Sequence, residues 1–443
     1  MQPVMQTVTN DIGDAFWLPF TSMRQFREAP LLIESAEGMH YTLSDGRRVL
    51  DGIAGLWCVN AGHARAPIVS AIQRAAAKLD FASSFRMSHS SAFKFAESLV
   101  DMAPRGLSHA FFSNSGSEAV DTAIKIARAY HRVMGHGGRT KLIGRAKGYH
   151  GMGFGGLSVS GIGRHRRDFG PLLPETAHLP LPYDPVRMRF PHGAPAVGVE
   201  YADALEALLA VLDPATVAAV IVEPVTGSGG VYPPPQGYLQ RLRAICDAHG
   251  ILLVFDEVIT GFGRLGAAFA ATWAGVTPDI MTLAKGITNG AVPMGATLVH
   301  ERVFEPFMSR SAAGIELMHG YTASAHPLAC AAGLATLEVY RDENLFRRAA
   351  DLWPVWDASA HALDHARHVT DVRTIGLLAA VDIDPLSGTP GARGARCAAA
   401  CLDLGVLVRA SGDMIILSPP LIVSESEIRM MFAALSTALT NME

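Results

Sequence analysis

A chain of 443 residues, 49% hydrophobic and 18% charged, is long enough for a large buried core and leaner in charge than the roughly 25% of an average soluble domain. Its formal net charge of −4 excludes the strong one-signed field expected of a nucleic-acid or membrane-surface binder. Five scattered cysteines with no CxxC pair fit neither a disulfide framework nor a zinc pattern, and no metal is expected.

The opening "MQPVMQTVTNDIGDAF" carries no basic region followed by an apolar one, so no signal peptide is expected. Apolar runs stop well short of the ~20 residues that cross a bilayer. A soluble, cytoplasmic protein is the expectation. Residues 1–60 read as the leading part of a small domain. Within "GMHYTLSDGRRVLDGIAG" (38–55), the Asp45-Gly46 pair between alternating runs predicts a hairpin.

From 61 to 325 the pattern becomes strand, loop, helix, repeated. Strands are predicted at 109–113, 140–145, 217–224, 251–257, 279–286 and 295–300. Helices are predicted in "SEAVDTAIKIARAYHRV" (117–133) and in "QGYLQRLRAICDAHG" (236–250), the latter closed by a C-cap glycine. This alternation predicts an α/β domain with a mostly parallel central sheet covered by helices. Residues 326–443 open with an Ala-rich helix, "PLACAAGLATLEVYRDENLF", then continue as short strands and a last helix. They are expected to complete the small domain begun by the N-terminal segment. The basic cluster Arg164, His165, Arg166 and Arg167 reads as a solvated loop that at most tunes a site entrance.

Three strand-end loops carry the chemistry. In "FFSNSGSEAV" a strand runs into a Ser/Gly turn and then a helix, whose free N–H groups and dipole make an anion cradle; plain N-capping by Ser115 or Ser117 explains the same residues. In "LLVFDEVITGFGR" (252–264) an unbroken apolar strand ends in Asp256 and Glu257. A carboxylate there can pair with a protonated ring nitrogen, or merely cap the next turn. In "TLAKGITNGAVPMGA", Lys285 sits in an otherwise uncharged segment that favours its neutral, nucleophilic form. A phosphate cradle, an acid and a lysine at successive strand ends together point to pyridoxal 5′-phosphate.

At these residues the sequence resembles the class III (subgroup II) aminotransferases of fold type I. "FWLPFT", "GLWCVNAGH", "RAKGYHGMGFGG", "IVEPV" and "RASGDMIILSPPL" resemble, more narrowly, the β-alanine (ω-amino acid):pyruvate transaminases, from about residue 16 to the C-terminus. The resemblance implies that Lys285 forms the Schiff base and shuttles the proton, and that Asp256 pairs with the pyridinium nitrogen. Val258 and Tyr149 would cover the two ring faces, with His150 beside Tyr149. Gly116 and Ser117 would bind the phosphate, joined by Thr322 of a neighbouring subunit in a homodimer or homotetramer. Glu223 would support the cofactor. Phe20, Trp57 and Phe85 (the last from the neighbouring subunit) would line the substrate pocket, where Arg409 receives a carboxylate. For the three aromatics the alternative is ordinary packing, and for Arg409 a surface ion pair.

"HGYTASAHPLAC" departs from the family's Thr-Tyr-Ser-Gly-His-Pro: Ala323 replaces the tyrosine and Ala325 the glycine, a change that is harmless only at negative φ. Rival readings are a racemase, an aminomutase or a dialkylglycine-type decarboxylase on the same cofactor, and a non-catalytic binding protein on the same fold. "GMGFGG" (151–156) also fits the dinucleotide-binding spacing of an oxidoreductase, but "LSVSGIG" after it does not read as the long helix that site needs.

Overall fold

The computed structural model describes residue 13, residues 15–311 and residues 314–442; most of the opening stretch, where no leader is expected, lies outside them. The strand Leu252–Asp256 explains its own composition. All five residues are buried, because parallel strands flank it on both edges and helices cover both faces. Its neighbours are Val217–Val222 and Ile280–Leu283. Outward from these the eight-stranded sheet adds Lys141–Ala146 on one side, and Gly295–His300 then Leu107–Ser113 on the other. Ser160–Gly161 and Thr176–Leu179 both pair with Lys141–Ala146. Gly295–His300 alone runs antiparallel to its neighbours. All six predicted strands form, but 251–257 stops one residue early at Asp256 and two others end earlier still. The predicted 217–224 stops at Val222, ahead of Pro224, and the predicted 279–286 stops at Leu283, because the chain turns into the short 3-10 helix Lys285–Thr288.

The helix Gly116–Val133 lays Ala119, Val120, Ala123, Ile124 and Ala127 against the sheet, one apolar stripe at helical spacing. Tyr238–His249 ends at Gly250, whose φ of 63° is the left-handed cap that glycine adopts without strain. The hairpin pairs His40–Leu43 with Arg48–Asp51 around Gly46. Arg48–Asp51 in turn pairs in parallel with Val406–Leu407, so the two ends of the chain share a sheet. A third sheet joins Val369–Ile375, Leu378–Ile383, Met414–Leu417 and Arg409–Ala410.

Two features depart from the sequence reading. The helices Ala66–Lys78 and Ser90–Met102 precede the first strand of the central sheet, where strand–helix alternation is expected from 61. Both pack against Pro327–Asp342. The Ala-rich stretch is two helices, Pro327–Asp342 and Leu345–His361, because Asn344 adopts φ 51° and breaks the register. "GMGFGG" leads into a helix of only six residues, Phe154–Val159, in keeping with the rejection of a dinucleotide site. Among the described residues no helix is long and apolar enough to cross a membrane.

Ala325 is buried at φ +54°, the left-handed region that penalises a Cβ. The surrounding chain holds it there: His89 Nε2 donates to the Ala325 carbonyl at 2.8 Å and Ser84 Oγ to the Ser324 carbonyl at 2.9 Å. The Gly-to-Ala departure is therefore strained. Ala325→Gly should stabilise the protein by about 1 kcal/mol, the relief of a left-handed alanine less the greater freedom of glycine in the unfolded chain. Denaturant midpoints at fixed protein and saturating cofactor concentration measure this, and an unchanged or lower midpoint would show that the neighbours already relieve the strain.

Candidate active site

Parallel strands end on one side of the sheet, and the candidate residues gather there. Glu223 follows Val217–Val222, Asp256 ends Leu252–Asp256, and Lys285 lies just past Ile280–Leu283. Tyr149 and His150 lie in the loop after Lys141–Ala146, and Gly116 opens the helix after Leu107–Ser113. With Ser117, Val258 and three residues the sequence reading did not single out (Gly151, Ile259 and Ala284), they line one cavity of about 140 Å³.

The two adjacent acids have different partners. Asp256 faces the cavity, accepting from His150 Nδ1 at 2.8 Å and from the Val258 N–H at 3.1 Å. His150 is itself buried, and its Nε2 has no partner among the described residues. Glu257 points away. It accepts from the N–H groups of Ala270 and Ala271 at 2.6 and 2.7 Å and from Thr260 Oγ1, capping the helix Ala270–Ala274; burial raises its pKa to about 7. Glu223 ties two turns together, accepting from the Tyr149 N–H and the Gly227 N–H, both at 2.9 Å. Burial raises its pKa.

At the helix start the two serines have different surroundings. Ser115 Oγ caps the Glu118 N–H at 3.2 Å, while Ser117 Oγ accepts from the Met152 N–H at 3.1 Å and lies on the cavity wall. A Cβ on Gly116 would come within 3.1 and 3.2 Å of the Val258 methyls, so glycine keeps this approach open.

Lys285 has φ 53°, held by Tyr340 Oη donating to the Gly286 carbonyl at 2.7 Å. Burial lowers its pKa; Cys58, Asp256 and Glu223 act in the opposite sense and the cationic Arg409 in the same sense. Its Nζ sits 4.7 Å from the centre of the Trp57 ring, and the Arg409 guanidinium carbon 5.3 Å from it. Trp57, buried at φ 60°, is presented by a turn that the buried Asp51 carboxylate organises through the N–H groups of Ile53 and Gly55. Arg409 is half-buried and its Nε lacks a partner among the described residues, which speaks against an ordinary surface ion pair. Burial, then Arg164, lowers its pKa.

His165 packs edge-on to Tyr149 at 5.7 Å and to Phe20 at 5.4 Å. Part of the basic cluster, read from sequence as a solvated loop, thus reaches the site wall, and Arg166 is half-buried, donating to the Ser160 carbonyl at 3.4 Å. Phe20 is otherwise exposed. Thr322 and Phe85 are not among the residues lining the Lys285 cavity. Thr322 is exposed, and Phe85 lines a separate cavity with His319, Gly320 and Ser324.

The model of the aminotransferase class-III family matches residues 21–439. This chain is a class-III aminotransferase. The enzyme is 53% identical to an omega-aminotransferase of Caulobacter vibrioides, over 97% of this chain and 98% of that protein. It is 45% identical to a beta-alanine–pyruvate aminotransferase of Pseudomonas aeruginosa, over 96% and 95%. Among solved structures, an amine transaminase from an uncultivated Pseudomonas species in its PLP-bound form is similar with a TM-score of 0.89 and 38% identity, over 97% of this chain and 99% of that one. A thermostable (S)-enantioselective omega-transaminase from Thermomicrobium roseum gives 0.91 and 35%, over 96% of each. The enzyme is an omega-transaminase dependent on pyridoxal 5′-phosphate. The cavity fits that cofactor: a helix N-terminus for an anion, a buried carboxylate for a ring cation, and an amine of lowered pKa for an aldehyde.

Proposed function

We propose that the enzyme moves an amino group from an ω-amino acid such as β-alanine, or from a simple amine, to pyruvate. The observation that carries this reading is Arg409, a half-buried guanidinium over the Trp57 ring, which Lys285 also approaches. Pyruvate brings a carboxylate next to the reacting carbon, whereas an ω-amine donor brings none there. A cation without a fixed carboxylate partner can meet the first and withdraw from the second. A guanidinium binds a carboxylate through two parallel hydrogen bonds.

Pyridoxal phosphate, when bound, supplies a sink for the electrons left on a substrate carbon that loses its proton. Asp256, oriented by His150, would hold the protonated ring nitrogen. Gly116 and Ser117 would hold the phosphate, and Val258 and Tyr149 would flank the ring. Lys285 would bind the cofactor through Nζ, then take a proton from the amine-bearing carbon of the donor and return one to the acceptor. Glu223 would fix the Tyr149 turn. Trp57 and Phe20 would shape the substrate pocket.

Thr322 and Phe85 would serve the site of a second copy, in a homodimer or a homotetramer built from such pairs; their distance from the Lys285 cavity supports this. We also read residues 61–325 as the large domain and 1–60 with 326–443 as the small one, on the strength of the pairing between Arg48–Asp51 and Val406–Leu407. A cytoplasmic location accords with five free cysteines.

Arg409→Ala should weaken the half-reactions with alanine and pyruvate about 30-fold or more, the equivalent of losing one partner of a buried charge pair. It should largely spare the half-reaction with an uncharged arylalkylamine. Single-turnover absorbance changes on each half-reaction measure both, and equal losses would make Arg409 structural. Light scattering of the active enzyme should give a dimer or larger; full activity at monomer mass would refute the shared site.

A further inference from the structure

The last turn of the helix Leu345–His361 carries a second cluster of ionisable groups. In "DASAHALD", Asp357 and His361 lie one turn apart on one face, and Asp364 follows three residues past the helix end. His192 joins them from a distant loop, which is fixed in place by a bridge to Thr374 and by the Gly193 N–H donating to the Thr374 carbonyl at 3.1 Å. One potential ligand atom from each of His192, His361 and Asp364 lies within 4.8 Å of the others. None of the four residues lines the Lys285 cavity.

We propose that His192, His361 and Asp364 bind a divalent transition-metal ion, with Asp357 orienting the His192 imidazole directly and the His361 imidazole through Thr374. The arrangement around Asp357 carries the inference. Its Oδ2 accepts from His192 Nδ1 at 2.7 Å, and its Oδ1 accepts from Thr374 Oγ1, which in turn lies 3.4 Å from His361 Nε2. A carboxylate behind the ring, here direct for His192 and through a hydroxyl for His361, is the kind of arrangement that orients histidine ligands of metals. It leaves Nε2 of His192 and Nδ1 of His361 as the forward nitrogens, and His361 Nδ1 already meets Asp364 at 2.9 Å. The rings stack at 3.7 Å with 28° between their planes. A dication in front of the two rings would also satisfy Asp364.

Two imidazole nitrogens and a carboxylate oxygen suit Zn²⁺, or Ni²⁺ and Cu²⁺, rather than Mg²⁺ or Ca²⁺, which prefer oxygen ligands throughout. The His361 side chain is 5% exposed and that of His192 60%, so the site is anchored on one side and open to water on the other. The ion would staple the His192 loop to the helix end and to the strand Val369–Ile375, stabilising the folded chain by mass action.

Titration of the holoenzyme with Zn²⁺ by calorimetry should show one high-affinity ion per chain and a raised thermal midpoint. His192→Ala and Asp364→Asn should each weaken that binding by about 10-fold or more and abolish the thermal shift, with the cofactor absorbance unchanged as proof of folding. Asp357→Asn should weaken it roughly 10–100-fold through misorientation of the rings. No Zn²⁺ uptake by the holoenzyme, or uptake unaltered in His192→Ala and Asp364→Asn, would overturn the proposal. Loss in those two variants with full affinity in Asp357→Asn would overturn the orienting role.

Discussion

A carboxylate buried at the end of a central parallel strand is the constraint around which this enzyme is arranged. Asp256 is 5% exposed and faces the cavity that Lys285 also lines. An unpaired buried charge is costly, and removing one partner of a buried pair typically costs about 3–5 kcal/mol. Two donors, His150 Nδ1 and the Val258 N–H, meet part of that requirement. The remaining valence is open to the cavity, where, in the proposed arrangement, a cationic ring nitrogen would complete it. The cofactor and the acid would then be mutually dependent: the acid would keep the ring electron-poor, and the ring would account for the acid's burial.

The neighbouring elements follow from that pairing. Strands that run parallel deliver Glu223, Asp256 and Lys285 to the same edge, and a helix N-terminus arrives there from Leu107–Ser113 with its N–H groups free for an anion. Lys285 is brought over by a left-handed turn that an ordinary strand end would not adopt, and its burial favours the unprotonated amine. Arg409 adds a second cation nearby, which lowers the Lys285 pKa further while remaining available to a carboxylate. Low charge density in this part of the sequence is therefore a requirement of the chemistry as well as of the core.

Much of this was legible in the residues themselves. "LLVFD" lacks alternation because both faces are covered, and a lysine in an uncharged strand-end loop points to a site only together with the acid and the Ser/Gly turn. The cap at Ser115, the Gly250 stop and the Asp45-Gly46 hairpin follow from local turn chemistry. What local pattern does not encode is direction. Asp256 and Glu257 look equivalent in sequence, yet one faces the cavity and the other caps Ala270–Ala274. The break at Asn344 is hidden in a stretch of good helix formers, since one left-handed residue outweighs many mild propensities. Contacts between distant segments, such as Trp57 with Arg409 or His192 with His361, have no signature at all until the fold is known.

The dependence between acid and ring can be measured at the atom concerned. Nitrogen NMR of the holoenzyme carrying a ¹⁵N-labelled pyridine ring reports directly whether that nitrogen bears a proton. A protonated ring nitrogen in the native enzyme near pH 8, converted to the neutral form in Asp256→Ala, is the result expected. A neutral nitrogen in the native enzyme, or a protonated one that survives the substitution, would contradict the account.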